Sequence, residues 1–398
     1  MTGETRLPGR EVSAISGRIL VAALVTGSLA GCASMTPTKA WPPVPAEFRS
    51  RFLEFCDLAA AELQKEITRF VSRADADPAT HHMPFFEDAH AVRALAVGYD
   101  MTERQVYLDA CRRWSDRIIE YQSNMIPRGA YYMNHSRAPG QDRGQWNLAD
   151  SGSIGMGILA TSVRCDDPAA KARYLGSVEK FAELVLNNYV SQEGGISNGL
   201  WPEYAGPWWC SSATFGTLSF LLHDETGQEK YRSVAIGAMN WLLGQDFREL
   251  KPITFQQRPS GTIFYCFDFY ATGLRYLKPN SPQYAALMRQ IDLALDWMAR
   301  NQRTRGAPVP DYTECNVDMA GLPCLMYSFA HQLPQYRDVV APADEELRYI
   351  GDLLLSKGRP DVSRLMIWEV MTWGMLSYAE RLDPGALGRR SRSKTSPA

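Results

Sequence analysis

Apolar and polar positions along the chain follow a helical pattern almost from end to end. Apolar residues recur at spacings of three and four, and no convincing run of alternating strand residues interrupts them. Five amphipathic segments carry a tyrosine near their start: Tyr107, Tyr174, Tyr231, Tyr284 and Tyr349, separated by 67, 57, 53 and 65 residues on subtraction. A repeat of about sixty residues indicates stacked two-helix units rather than one irregular globule.

Twelve predicted helices alternate between two kinds. They cover about 46–74, 87–100, 103–123, 150–164, 168–191, 211–223, 228–245, 264–277, 282–302, 317–332, 343–356 and 363–381. The even-numbered helices are apolar nearly all round, which predicts burial, while the odd-numbered ones are amphipathic and face water. Six buried helices inside six amphipathic ones describe an all-α (α/α)6 toroid. An open α-solenoid is the alternative, but it would expose the apolar inner helices along a concave face.

The N-terminal residues 1–31 read as a targeting segment. Arg6, Arg10 and Arg18 precede an apolar run over residues 19–29, which is too short to span a membrane. The run ends in Leu-Ala-Gly before Cys32, and this resembles the lipobox of bacterial lipoproteins. The resemblance implies acylation of Cys32 and anchorage in the envelope, with Ala33 favouring the outer membrane facing the periplasm. An ordinary signal peptide with an incidental cysteine is the alternative.

The rest of the chain divides into a tether, a core and a tail. Residues 32–45 are proline-rich and predict an extended tether, residues 46–382 the toroid, and residues 383–398 a disordered basic tail. A net charge of −2 over 398 residues gives no electrostatic case for nucleic acid. Seven cysteines besides Cys32 show no metal-ligand spacing, so we predict no metal, and Cys111 and Cys165 fall on helix faces as buried thiols.

Polar and aromatic residues concentrate where the chain enters the even-numbered helices. These entries are predicted to gather at one end of the ring. Asp88 and Asp150 stand at two successive entries, either as helix N-caps or as an acid and base pair. The helix dipole lowers a carboxyl pKa and burial raises it, so the sequence leaves their pKa values open. The other candidate substrate-binding residues are His90, His135, Arg143, Trp146, Trp208, Trp209, Ser211, Tyr265, Asp268, Glu314 and Trp368.

Several of these candidates have a second interpretation. The aromatic side chains would either stack on sugar rings or pack the mouth loops. Ser211 and its neighbour Ser212 lack a nucleophile-elbow pattern, so helix capping is the stronger interpretation. Asp268 and Glu314 are alternative carboxylates, and His90 is a candidate for the core.

The segments Asp88–Asp100 and Ala149–Met156 resemble the six-hairpin glycosidases, nearest to the unsaturated glucuronyl and rhamnogalacturonyl hydrolases. The resemblance implies that Asp150 is the general acid and base, which protonates C4 of a 4,5-unsaturated uronyl residue and directs water onto C5. It implies that Asp88 holds sugar hydroxyls and tunes Asp150, with an oligo- or polysaccharide as partner and no cofactor. The sequence shows no clear clamp for the substrate carboxylate; Arg143 and His135 are the candidates.

Three other functions remain open at this point. A polysaccharide lyase on the same toroid would rely on Tyr131, Tyr132 and His135. A sugar epimerase would need a histidine pair in the cavity, but the chain has only 6 histidines and few of them are well placed for this role. A surface lipoprotein that binds glycans without turnover would keep the aromatic mouth and dispense with the acid.

Overall fold

The structure is a computed structural model that describes residues 41–64, 85–123, 125–131, 146–199, 206–245, 266, 268–301, 333–355 and 365–388. The described residues from Pro42 onward belong to one compact unit. Its α-helices are α1 (Ala46–Leu63), α2 (Phe85–Thr102), α3 (Gln105–Ser123), α4 (Leu148–Ser162), α5 (Pro168–Asn188), α6 (Trp209–Thr226), α7 (Glu229–Leu243), α8 (Pro282–Asn301), α9 (Val340–Leu355) and α10 (Leu365–Leu382). Residues 268–273 form a further helical segment between α7 and α8.

The helices close into a ring. The buried helices α2, α4 and α6 pack side by side in that order, and α10 packs back against α2. The N-terminal helix α1 joins the two ends of the chain, because it contacts α2, α3 and α10. A solenoid would leave its first and last helices apart, so these contacts distinguish the (α/α)6 toroid from it and confirm the predicted fold.

Small residues let the inner helices approach one another closely. Gly216 of α6 lies against the ring of Phe269, and a Cβ atom built there would be only 2.4 Å from that ring. Gly157 of α4 packs on Ala89 of α2, where a Cβ atom would be 3.2 Å from the Ala89 Cα. Helices this close exclude water from their shared faces, which explains why nearly every residue of α4 is buried.

The described helix bounds follow the predicted ones closely, with one clear exception. The first helix, predicted to reach residue 74, ends at Leu63 with Gln64 as its C-cap. The predicted helix at 317–332 lies outside the described residues. None of the helices that the structure describes is long and apolar enough to cross a membrane.

Residues just outside both predicted bounds of the toroid, 46 and 382, also pack against its helices. Arg381 donates to the carbonyls of Pro42 and Pro43, at 3.2 and 3.0 Å, so the end of the predicted tether is held against α10. At the other end, Ala386–Gly388 form a 3-10 turn, and Arg275 donates to the Gly388 carbonyl at 2.8 Å. The packed chain thus extends past residue 382, and residues 389–398 lie outside the described part.

The cysteines that the structure describes are all buried: Cys56, Cys111, Cys165, Cys210 and Cys266. The predicted burial of Cys111 and Cys165 is thereby confirmed. Burial raises the pKa of the Cys111 thiol to about 12, so it stays protonated and unreactive at neutral pH.

Candidate active site

The start of α4 is built around a reciprocal pair, Asn147 and Asp150. Asn147 is the N-cap, and its Oδ1 accepts the Asp150 backbone N–H at 2.9 Å. Because that bond fixes the orientation of the carboxamide, its Nδ2 faces the Asp150 side chain and donates to Oδ2 at 2.8 Å. The capping interpretation of Asp150 is therefore wrong, since Asn147 caps the helix and the Asp150 carboxyl remains available.

Burial controls the ionisation of Asp150. The side chain is 8% exposed, and loss of water raises its pKa from 3.8 to about 7, against the opposing effect of the Asn147 hydrogen bond. Oδ1 has no hydrogen-bond donor within the part of the chain that the structure describes. A carboxyl group with a pKa near 7 and one open oxygen suits general acid and base catalysis at neutral pH.

Asp88 sits in a different environment at the start of α2. Its Oδ2 accepts the Trp114 indole N–H at 3.2 Å, and its Oδ1 accepts the Trp368 indole N–H at 3.1 Å. Trp114 belongs to α3 and Trp368 to α10, so one carboxylate links three helices. With 3% of its surface exposed, Asp88 is a buried junction rather than an N-cap of α2.

The two aspartates lie at different depths. Ala89, next to Asp88, packs against Gly157 of α4. Gly157 lies seven residues past Asp150, which is about 10 Å of helix. Along the helix axes, Asp150 therefore lies nearer the mouth than Asp88.

Asp268 is engaged by an arginine from another inner helix. Arg93 of α2 donates through Nη1 to Oδ2 at 3.2 Å and through Nη2 to Oδ1 at 3.4 Å. The inner helices follow in the order α2, α4 and α6, and Phe269 of the 268–273 segment packs on Gly216 of α6, so this segment lies three places round the ring from α2. The ion pair thus crosses the ring, about 7.5 Å further along α2 than Asp88.

The candidate aromatic residues that the structure describes are largely buried. Trp146 is 1% exposed and stands edge-on to Tyr189 at 5.6 Å between ring centroids. Trp209 stands edge-on to Trp241, while Trp208 is half-buried. Packing of the mouth thus accounts for Trp146 and Trp209, and Trp208 keeps an accessible face.

His90 lies in the core below the mouth. Its ring stands edge-on to Trp373 at 4.0 Å, and burial, followed by the nearby Arg93 charge, holds its pKa well below its ordinary value. A neutral, buried imidazole fits the core interpretation of this residue better than direct contact with substrate.

The loop between α5 and α6 carries a residue that the sequence interpretation missed, Asn198. Its backbone carbonyl accepts the Leu148 N–H at 3.0 Å, and its Oδ1 accepts the Ser211 hydroxyl at 3.4 Å. Ser212 Oγ accepts the Ile196 N–H at 2.8 Å. The capping interpretation of Ser211 and Ser212 is therefore wrong, because α6 begins after Trp208 without a side-chain cap and both serines hold the loop.

Several predicted residues fall outside the described part of the chain: Cys32, Tyr132, His135, Arg143, Tyr265 and Glu314. Tyr131 is described and buried, and its hydroxyl pairs with Ser177 Oγ of α5 at 3.0 Å. Desolvation raises its pKa further above the ordinary tyrosine value. Tyr131 therefore packs against α5 and does not act as a base.

Solved structures share this architecture, although no protein-family model and no curated protein matches the sequence. An unsaturated glucuronyl hydrolase from Bacillus sp. GL1 superposes with a TM-score of 0.57 at 15% identity, over 87% of this chain and 100% of its own. A possible GH105 family member from Salmonella enterica gives 0.58 at 12% identity, over 88% and 98%. A cellobiose 2-epimerase from Spirochaeta thermophila gives 0.54 at 12% identity, over 85% and 99%. These similarities show the fold, the six-hairpin (α/α)6 toroid.

Proposed function

We propose that this chain is a glycoside hydrolase that acts on uronate-containing oligosaccharides, with Asp150 as general acid and base. The observation that carries the proposal is the Asp150 carboxyl, buried at the start of an inner helix with a pKa of about 7 and with an Oδ1 that accepts no hydrogen bond from the residues that the structure describes. The similarity of the fold to an unsaturated glucuronyl hydrolase supports the choice of substrate class.

The chemistry needs one group that both gives and takes a proton. Protonated Asp150 would deliver its proton to C4 of a 4,5-unsaturated uronyl residue, and the carboxylate so formed would remove a proton from the water that attacks C5. The hemiketal that results opens and releases the rest of the saccharide. A pKa near neutrality lets the same group serve in both steps without a large energetic penalty in either.

Asp88 has a supporting part in this proposal. Both of its oxygens accept indole N–H groups, and it lies below Asp150. Its contacts suit it to hold α2 against α3 and α10, which fixes the wall of the cavity, better than to bind sugar hydroxyls. The substrate carboxylate would be held from the loop before α4, where Arg143 and His135 are the candidates.

Product analysis tests the proposal. Purified chain is incubated with uronate polymers and with their lyase-cut fragments, and products are followed by mass spectrometry and by ultraviolet absorbance. A hydrolase of unsaturated uronyl residues removes the absorbance of the conjugated double bond as it releases sugar. A lyase would instead create that absorbance from intact polymer, and a binding protein would change neither. Either of the last two results would overturn the proposal.

We also propose that the mature chain is anchored to the bacterial cell envelope through a lipid on Cys32, in the outer membrane and facing the periplasm. The three arginines, the short apolar run and the cysteine that ends it support this. Metabolic labelling with a fatty acid analogue should mark the wild-type chain in membranes. The substitution Cys32→Ser should abolish the label, and a labelled variant would rule the anchor out.

A further inference from the structure

The inner helices α2, α4 and α10 end at the face of the ring opposite the mouth, and we call this face the base. Arg164, just past α4, donates through Nε to both carboxyl oxygens of Asp100 near the end of α2, at 3.0 Å. Near the other ends of the helices, Trp368 of α10 donates to Asp88 of α2. These contacts show that the three helices run parallel, from the mouth to the base.

The chain enters the ring at the base. Arg381, at the end of α10, donates to the carbonyls of Pro42 and Pro43, and its side chain is almost wholly buried. In the first turn of α1, Arg49 donates to the Met101 carbonyl at 3.2 Å, close to the end of α2. The residues that precede Pro42 are therefore attached to the ring at this face.

The chain also leaves the ring at the base. The 3-10 turn Ala386–Gly388 follows α10 and packs against both α10 and α2. Arg275, just past the 268–273 segment, donates to the Gly388 carbonyl at 2.8 Å. The residues that follow Gly388 are therefore attached at the same face as the tether.

The two attached segments bring different chemistry to the base. Cys32, the proposed lipid attachment, lies ten positions before Pro42, a reach of at most about 35 Å when fully extended. The tail, residues 389–398, has no acidic residue and carries four cationic ones: Arg389, Arg390, Arg392 and Lys394. The described loops at the base expose both signs of charge, for example Asp166 and Lys278, so the net positive charge at this face comes from the tail.

We propose that the base is a membrane-docking face, on which the tail binds anionic phospholipid headgroups while the mouth is directed away from the bilayer. This rests on the proposed lipid anchor at Cys32 and adds an orientation that the anchor alone does not give. One attachment leaves the ring free to tumble, whereas a cationic segment at the same face provides a second contact and holds that face down. Asp150 lies about 18 Å from the base along α4, on the side from which soluble saccharides arrive.

Fluorescent labels at the two ends of one helix test this orientation. Gln105 and Ser123 are exposed at the start and the end of α3, about 27 Å apart, and α3 starts at the base because it directly follows α2. Gln105→Cys and Ser123→Cys are made in the lipid-anchored full chain, labelled, and added to preformed phosphatidylglycerol vesicles that carry a quencher on some headgroups. The label at position 105 should lose its emission and the label at position 123 should keep it. Wild-type chain treated in the same way gives the background from the native cysteines.

A tail variant tests the source of the orientation. Replacing the four cationic tail residues by glutamine should leave the protein on the vesicles through its lipid but abolish the difference between the two labels. The matched control is Lys278→Gln, which removes a charge from the base outside the tail and should keep the wild-type difference. Equal quenching of the two labels in the wild-type tail background, or stronger quenching at position 123, would overturn the docking face. A glutamine variant that kept the difference would overturn it as well, including one that had lost binding to a soluble uronate polymer instead.

Failure of the anchor and failure of the docking face can be told apart. If Cys32 carries no lipid, the same chain is sedimented with phosphatidylglycerol vesicles, and each charge removed from the tail should weaken its binding about fivefold. A chain that then stays in solution would overturn the docking face too. Turnover of a soluble disaccharide by the tail variant should equal that of wild type, and this measurement bears on the hydrolase alone.

Discussion

Asp88 and Asp150 occupy equivalent places in the ring, yet their surroundings differ in kind. Both stand in the first turn of an inner helix, and both are buried. Asp88 accepts N–H groups from two other helices, whereas the one side-chain bond that Asp150 accepts in the described chain comes from the cap of its own helix. The first carboxylate is fixed by tertiary contacts, and the second is left free to gain and lose a proton. A shared position in a repeat therefore does not imply a shared role.

The largest expected difference between them is in turnover. The substitution Asp150→Asn should lower kcat/KM about a thousandfold, because it removes a general acid and base. The measurement is the initial rate of product release from the unsaturated disaccharide. Asp166→Asn is the control, an exposed aspartate just after α4, and it should be active. Wild-type turnover by Asp150→Asn would show that Asp150 is not the general acid and base.

For stability we expect the opposite order, with the substitution of Asp88 more damaging than that of Asp150. The substitution Asp88→Asn turns one acceptor oxygen into an NH2 group that faces an indole N–H, and we expect a loss of about 2 kcal/mol in the free energy of unfolding. Urea unfolding measures it, beside Asp150→Asn, which leaves no indole without an acceptor. If Asp88→Asn instead abolished turnover while unfolding at the wild-type urea concentration, Asp88 would act on the substrate itself and the contrast would fail.

The sequence could predict what depends on neighbouring residues. The alternation of apolar and amphipathic helices is a local pattern, and it led directly to the toroid because each helix reveals whether it is buried or half-exposed. The placement of Asp150 at a helix start followed in the same way. Even the Asn147 cap could have been found, since an Asn three residues before an Asp is a helix-start signal.

Long-range contacts could not be predicted. The Trp368 indole that binds Asp88 lies 280 residues away in sequence, and Asn198 stands on a loop whose pattern shows nothing of Leu148 or Ser211. The depth of Asp88 relative to Asp150 depends on how two helices slide past each other, which Gly157 and Ala89 decide. These are tertiary facts that no local periodicity contains.

The pH dependence of turnover and of stability tests the proposed protonation of Asp150. Because the folded pKa of Asp150 is about 7, kcat/KM should fall as the pH rises through 7 and the acid is lost. The same shift costs stability. Folding raises the pKa from 3.8, so the unfolded chain ionises first and Asp150 destabilises the fold progressively between about pH 4 and pH 7, by up to about 4 kcal/mol.

Unfolding of Asp150→Asn and wild type across this range measures that cost. The variant should gain stability relative to wild type as the pH rises from 4 to 8. A constant difference between the two proteins would show that Asp150 is ionised in the folded state throughout, and its proposed role as an acid would lose its basis.

The smallest expected effect separates the two bonds that Asn147 makes with Asp150. Asn147→Ala removes both, so the helix loses its cap, at about 1 kcal/mol, and the carboxyl loses the N–H that holds its pKa down. Asn147→Ser keeps a capping oxygen but shortens the side chain and removes the amide donor. Both variants should move the alkaline limb of the pH–rate profile upward by about half a pKa unit, while only the alanine variant unfolds more easily. If Asn147→Ser kept the wild-type profile, burial alone would set the pKa of Asp150, and the amide would serve the helix rather than the acid.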